Sequence, residues 1–312
     1  MDWNNVLVTG ASGLLGAELS SRLVSCKANV VCLIRDNLEY TRLRSVPCTA
    51  VHGDVRDSQL IRRVLAEYEI ETVFHLAAQP IVGVASRNPA ETFDVNAMGT
   101  VSVLEACRQV PVKRVVVAST DKVYGVSDVP CDENSPLNGK SPYEASKVCT
   151  DVIAQSYARQ YGMAIGIARC GNLYGPGDLN WSRLIPGTVR SIIRNEAVII
   201  RSDGTPVHDY FYVADAAGAY MALAKHLDRP GAQVFNFGGG GTYSVKEVLR
   251  YIQGLMSDNQ NIIYMNDTQL EIPYQALVLD KAKNELNWVP KWILLDGLRP
   301  TINWYREYLK SR

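Results

Sequence analysis

The first half of the chain alternates short, wholly apolar runs with longer amphipathic ones. "NVLVTG" (5–10) predicts a strand that ends on glycine, and "GLLGAELSSRLVSC" (13–26) predicts a helix, because Leu15, Leu19 and Leu23 recur at four-residue spacing on one face. Further strands are predicted at "NVVCLI" (29–34), "CTAVHGDV" (48–55), "ETVFHLAA" (71–78) and "KRVVVAST" (113–120). "PAETFDVNAMGTVSVLEACRQ" (89–109) reads as one long helix, another helix starts near Tyr143, and "MAIGIARC" (163–170) is a sixth strand. The strand runs are continuous rather than alternating, which is what a parallel sheet covered on both faces requires. Strand–helix alternation of this kind predicts an α/β fold with a doubly wound parallel sheet.

After residue 172 the texture changes. Glycine, proline and asparagine cluster in "GNLYGPGDLN" (171–180), and helices are predicted at "RLIPGTVRSIIRN" (183–195), "SVKEVLRYIQGLM" (244–256) and "GLRPTINWYREYLK" (297–310). "VADAAGAYMALAKHL" (213–227) and "AQVFNFG" (232–238) read as sheet-type elements on which the chain crosses back. The expected division is a sheet domain over 1–172 with returning segments near 207–240, and a smaller C-terminal α/β cap over 173–206 and 241–312. There is no internal repeat.

Composition narrows the partners. The 312 residues carry no formal net charge, which argues against nucleic acid or an anionic membrane, since both select a basic face. No apolar run approaches the roughly 20 residues of a membrane span, and the N-terminus "MDWNNVLVTG" lacks the features of a secretory signal. The seven cysteines include no C-x-x-C pair and several lie in apolar runs, so buried thiols in a reducing cytoplasm are expected. The four histidines are scattered, and no metal site is expected.

"TGASGLLG" sets Gly10, Gly13 and Gly16 between the first strand and the first helix. The first glycine permits the turn, the second lets the backbone approach a pyrophosphate, and the third lets helix and strand pack closely. The helix N-terminus adds free N–H groups and partial positive charge. In this strand–turn–helix setting the pattern points to a Rossmann domain binding a dinucleotide. At the end of the second strand Arg35 and Asp36 stand side by side. An acidic residue there favours NAD and an arginine NADP; Arg35 comes first, which tips the reading slightly toward NADP. Asp54 in "HGDVRD" either accepts from the adenine amino group or caps the next helix.

"SPYEASK" places Tyr143 and Lys147 four apart, on one helical face. A free phenol, with a pKa of about 10, is a poor base near neutrality. A neighbouring ammonium and a positive nicotinamide ring both stabilise the phenolate. The pair can then take a hydroxyl proton while hydride leaves the same carbon.

With these motifs the chain resembles the extended short-chain dehydrogenases/reductases, the family of nucleotide-sugar epimerases and dehydratases. The resemblance runs through "TGASGLLG", "GDVRD", "HLAAQ", "YEASK", "RCGNLYGPGD", "HDYFYVAD", "FNFGGG" and "LNWVPKW", and covers essentially the whole chain. It implies a cofactor site made by Gly10, Ser12, Gly13, Leu14, Leu15, Gly16, Arg35, Asp54, Val55, Leu76, Ala77 and Ala78, with Tyr143 and Lys147. It further implies that Asn96 supports the cofactor site and the tyrosine helix. The cap is implied to hold a nucleoside-diphosphate sugar, with Gln79, Thr120 and Asn172 among the substrate contacts and Asn172 at the diphosphate. Asn180 and Arg183, in "DLNWSRLIP", are polar candidates on the cap side. Where the family usually has an arginine that grips the diphosphate, this chain has His208. Histidine offers one or two donors in place of a fixed fork, so Arg201 or Arg183 is a candidate to compensate. Members of the family commonly form homodimers through two helices of the Rossmann domain, here the helix around 88–110 and the one starting near Tyr143.

"STDKVYG" (119–125) closes the fifth strand. Epimerases and simple dehydrogenases typically carry small or neutral residues at the Asp–Lys position, whereas 4,6-dehydratases carry Asp followed by Glu or Lys. The Asp–Lys form most resembles the CDP-glucose 4,6-dehydratase branch. A 4-keto group acidifies the proton on C5, which neutral Lys122 could remove, while protonated Asp121 could donate to the departing 6-hydroxyl. Burial favours the neutral form of each, and Thr120 would hydrogen-bond the 4-oxygen. Epimerisation, keto-sugar reduction and a non-catalytic dinucleotide sensor are the alternatives.

Overall fold

The structure is a computed structural model that describes residues 3–35, 41–267 and 272–310. The first half runs β1 (Asn5–Thr9), α1 (Leu14–Ser25), β2 (Asn29–Ile34), β3 (Thr49–His52), α2 (Ser58–Glu67), β4 (Thr72–His75), α3 (Val82–Arg87), α4 (Pro89–Phe93), α5 (Gly99–Gln109), β5 (Arg114–Thr120), α6 (Pro142–Tyr161) and β6 (Ala164–Cys170). The second half contributes β7 (Asn172–Tyr174), α7 (Leu184–Ile193), β8 (Val198–Ile200), β9 (Val207–Tyr212), α8 (Val213–His226), β10 (Gly231–Phe237), β11 (Thr242–Ser244), α9 (Val245–Met256), β12 (Ile262–Tyr264), α10 (Asp280–Leu286) and α11 (Leu294–Lys310).

Seven parallel strands form the central sheet in the order β10-β6-β5-β4-β1-β2-β3. The apolar runs are continuous because successive side chains feed two separate cores. Val6, Val8 and Cys32 pack on one face of the sheet, and Leu7, Val31 and Leu33 on the other. The chain moves outward from β1 to β3, then returns to β4 on the other side of β1. That reversal opens a crevice at the C-terminal ends of the strands, where doubly wound sheets bind ligands.

Two expectations change. Residues 213–226 form helix α8 rather than a sheet-type element. Its six alanines are strong helix formers and let it pack closely against α1. "AQVFNFG" does supply the seventh strand, β10, beside β6. The long helix at 89–109 is interrupted by a π-helical turn, Asp94–Met98, between α4 and α5. The wider turn buries Asn96, and such bulges recur at functional sites.

The remaining strands are short. β11, β9 and β7 form one small sheet, and β12 and β8 another. Among the described residues no helix is long and apolar enough to cross a membrane, and all seven cysteines are free thiols.

Candidate active site

A cleft of about 1160 Å³ lies over the C-terminal ends of β1, β4 and β5 and extends under α7 and β8. At one end is the glycine turn. Gly10 has φ +67°, and a Cβ there would sit 2.7 Å from the Ala77 nitrogen, so only glycine fits. A Cβ on Gly16 would collide with the Gly10 carbonyl oxygen. Gly13 is different. It is the N-cap of α1, makes no side-chain cap bond, and borders the cleft. The first N–H groups of α1 therefore face an open space that a pyrophosphate can enter.

Ser12, Leu14, Leu15, Arg35, Asp54, Val55, Leu76, Ala77 and Ala78 line the same part of the cleft. Asp54 does not cap α2. That role belongs to Asp57, whose carboxylate accepts from the Leu60 N–H at 2.9 Å. The Asp54 carboxylate is instead clamped by Arg56, at 2.9 Å from Nε and 2.8 Å from Nη2, and these bonds hold its pKa below the usual carboxylate range. Asp36, the alternative to Arg35 at the ribose, lies outside the described residues.

Asn96 does not reach the cleft itself. Its carboxamide accepts from the Gln79 N–H at 2.7 Å and donates to Ser146 Oγ at 2.9 Å, while its carbonyl accepts from Thr150 at 2.8 Å. The π turn thus fastens the segment after β4 to the helix that carries Tyr143 and Lys147. Gln79, expected at the substrate, is turned away from it. Its amide donates to Ile81 O and Thr92 Oγ1 and accepts from Ile81 N, so the side chain is spent on shaping this loop.

Helix α6 opens with Pro142 and a full capping box between Ser141 and Glu144. Its first turns present Tyr143 and Lys147, both buried and both facing the cleft beside Thr120. The Lys147 ammonium donates to the Ala118 carbonyl at 2.5 Å, and burial lowers its pKa to about 8. Tyr143 departs from the expected direction. Burial pushes its phenol up to about 12, against a smaller opposing pull from Arg183. The protein alone does not make this tyrosine a base at neutral pH; a positively charged nicotinamide ring bound beside it would favour the phenolate.

The two charged residues after Thr120 point to different places. They begin a 3₁₀ turn, Asp121–Tyr124. Lys122 borders the cleft and donates to Asn172 Oδ1 at 2.7 Å and Asp121 Oδ1 at 3.1 Å. Asp121 is only 3% exposed. Its Oδ1 also accepts from Thr120 Oγ1 at 3.0 Å, and its Oδ2 has no partner. It borders a separate water-sized void with Tyr124 and Gln275 rather than the cleft proper.

Asn172, Asn180, Arg183, Arg201 and His208 all line the cleft as well, Asn172 beside Lys122. Asn180 accepts from Ser182, Arg183 pairs with Asp178 at 3.1 Å, and Arg201 donates to the Ser182 carbonyl at 3.0 Å. His208 is buried, in edge contact with Tyr210.

Sequence reasoning passed over a buried network beneath the site. Arg169 on β6 makes a two-pronged ion pair with Asp151 on α6, both bonds 2.9 Å. Asp151 also accepts from Ser119 at 2.8 Å, and Arg169 donates to the Tyr124 hydroxyl, which donates to Asn236. The signal was present: Asp151 lies four residues after Lys147, and Arg169 interrupts an otherwise apolar strand.

A glycine turn facing a buried tyrosine–lysine helix across one crevice defines a dinucleotide-dependent oxidoreduction site of the short-chain dehydrogenase/reductase type. The chain belongs to the NAD dependent epimerase/dehydratase family, whose model matches residues 6–238. It is 31% identical to the CDP-glucose 4,6-dehydratase of Salmonella typhimurium, over 98% of this chain and 91% of that one. Two solved structures are close as well. The UDP-glucose 4-epimerase of Thermotoga maritima, with UDP-glucose, has TM-score 0.90 and 28% identity and covers 98% of this chain and 99% of its own. The dTDP-glucose 4,6-dehydratase DesIV of Streptomyces venezuelae, with NAD bound, has TM-score 0.88 and 30% identity, covering 97% of each chain. These relatives place the chain among NAD-dependent nucleotide-sugar dehydratases and epimerases.

Proposed function

We propose that this protein is a 4,6-dehydratase that converts a nucleoside-diphosphate hexose, with CDP-glucose the first candidate, to the 4-keto-6-deoxy sugar. The observation that carries this reading is the Thr120–Asp121–Lys122 run, set at the end of β5 beside Tyr143 and Lys147. The glycine cradle and the width of the cleft fit a nicotinamide dinucleotide, held by the Gly10–Gly16 turn, Asp54, Val55, Tyr143 and Lys147. Bound there, a dinucleotide would supply the acceptor and donor of the hydride that leaves C4 and arrives at C6; Arg35 favours NADP, and the similar enzyme of known structure favours NAD.

The chain's own residues do the proton work. Tyr143 takes the 4-hydroxyl proton with Lys147 behind it, and Thr120 hydrogen-bonds the 4-oxygen. Lys122 removes the C5 proton and gives it back to C5 once hydride has reached C6, so that the net change is the loss of one water. Asp121 gives a proton to the 6-hydroxyl as it leaves as water, which requires its carboxyl to swing from Thr120 toward the cleft. Asn172, Asn180, Arg183, Arg201 and His208 surround the nucleoside-diphosphate end. A cytoplasmic homodimer, joined where Met98 and Val152 stand 53% and 52% exposed on the 89–109 segment and α6, is part of the same proposal.

Epimerisation at C4 is the second reading, favoured by the turning of Asp121 away from the cleft. Incubation with CDP-, UDP-, GDP- and dTDP-glucose separates the two by mass. A dehydratase product is lighter by one water with no net cofactor consumption, and an epimerase product is unchanged in mass. Dehydration that survives Asp121→Asn and Lys122→Met sinks the assignment of roles.

A further inference from the structure

Gln275 is only 6% exposed, yet neither its Oε1 nor its Nε2, both buried, has a hydrogen-bond partner. Buried polar groups left unpaired are costly, and native proteins keep them where something else completes them. The side chain is held in place by its backbone. Gln275 N donates to Val207 O, Val207 N to Pro273 O, Cys131 N to Ala276 O and Val278 N to Cys131 O, all at 2.9 Å. Residues 273–278 therefore form a strap laced to the start of β9 on one side and to the loop beyond the Asp121–Tyr124 turn on the other. The strap sets Gln275 in the wall of the cleft. It also sets it on the small void that Asp121 borders, where Asp121 Oδ2 is a second buried oxygen without a partner.

We propose that Gln275 is a substrate-positioning residue that hydrogen-bonds the hydroxyl groups of the hexose. A carboxamide offers an acceptor and two donors in one plane. Neighbouring sugar hydroxyls, each both donor and acceptor, satisfy all of them. A diphosphate does not, since it only accepts and would face Oε1 and the Asp121 carboxylate. The location agrees, because the strap borders the Thr120–Lys122 end of the cleft. The proposal rests on a nucleotide sugar occupying the cleft, and holds for either dehydration or epimerisation.

The test is calorimetric titration of wild type and Gln275→Leu with CDP-, UDP-, GDP- and dTDP-glucose and with the four parent diphosphates, together with melting curves of the unliganded proteins. The leucine variant is expected to bind the preferred glucose nucleotide roughly ten- to a hundredfold more weakly, the loss of one or two hydrogen bonds. It should bind the matching diphosphate as wild type does. Without ligand it should melt higher, because the unmet polar groups are gone. If the variant gains as much from the glucosyl group as wild type does, or loses equally on sugar and diphosphate, the proposal is overturned. A lower melting point with undiminished glucosyl discrimination marks a purely structural glutamine and overturns it as well. A wild type that gains nothing from the glucosyl group overturns the reading of the cleft together with the proposal.

Discussion

Lys122 Nζ stands 2.7 Å from Asn172 Oδ1, a bond that joins the turn after β5 to the first residue of β7. Asn172 thereby holds the proposed base by a neutral acceptor at the edge of the cleft. A carboxylate at the same distance would stabilise the ammonium as a cation. Asn172→Asp adds a second carboxylate to that of Asp121 on the same ammonium and is expected to cut turnover by about tenfold or more. Dinucleotide affinity should stay unchanged. Single-turnover kinetics check this.

Lys147 is costly to the fold. Its pKa is about 8 in the folded protein and about 10.4 in an unfolded chain. Between those values the unfolded chain holds more protons, so this group makes stability rise with pH from about 8 to 10.4. Below pH 8 both states are protonated and the full burial cost remains. Lys147→Met is expected to stabilise the protein at pH 7 by up to about 2–3 kcal/mol, less the bond to Ala118, while abolishing turnover. Urea denaturation at pH 7 and pH 10 measures the difference, which should nearly vanish at the higher pH.

His75 acts at the acid end. It is buried between Thr9 and Thr100, at 2.9 Å and 3.1 Å, and burial lowers its pKa to about 3. Above the unfolded value of about 6.5 both states are neutral and the native state is favoured in full. As pH falls from 6.5 toward 3 the unfolded chain takes up the proton first, so stability declines by up to about 1.4 kcal/mol per pH unit. His75→Gln should remove that part of the slope in melting curves between pH 4 and pH 7.

The Arg169–Asp151 pair tests what lies under the site. Removing one partner leaves a buried charge uncompensated, so Arg169→Met is expected to cost about 3–5 kcal/mol in urea denaturation. The double variant Asp151→Leu, Arg169→Met should recover much of it. Because Asp151 also anchors Ser119, next to Thr120, the double variant should fold and still lose turnover.

The sheet, the glycine turn and the Tyr143–Lys147 helix were legible because each follows from local periodicity or spacing. Asn96 was reached through resemblance alone, since its role depends on a π turn that no helical period signals. Residues 213–226 were misread because an alanine-rich helix with few large apolar residues shows little amphipathic pattern. Gln79 and Asp121 lie close in sequence to site residues, but their directions are set by particular hydrogen bonds, of Gln79 to Ile81 and Thr92 and of Asp121 to Thr120, that no periodicity or spacing signals. Gln275 escaped notice because it enters the cleft on a strap that pairs only with residues far away in the chain.

β10 closes the edge of the main sheet by pairing Gly231–Phe237 with Ala164–Cys170, and the chain between them builds β7 to α8 first. During synthesis the seven-stranded sheet therefore cannot be completed until the chain from β7 to α8 has left the ribosome. Until then β6 presents an open, apolar edge, the kind of surface that recruits wrong strands. Asn236 arrives with β10 and is the residue that binds the Tyr124 hydroxyl and the carbonyls of Cys131 and Val278. The last strand of the main sheet to be made is thus also the latch that sets the loop after the Asp121–Tyr124 turn, and that side of the candidate site is not assembled before it arrives.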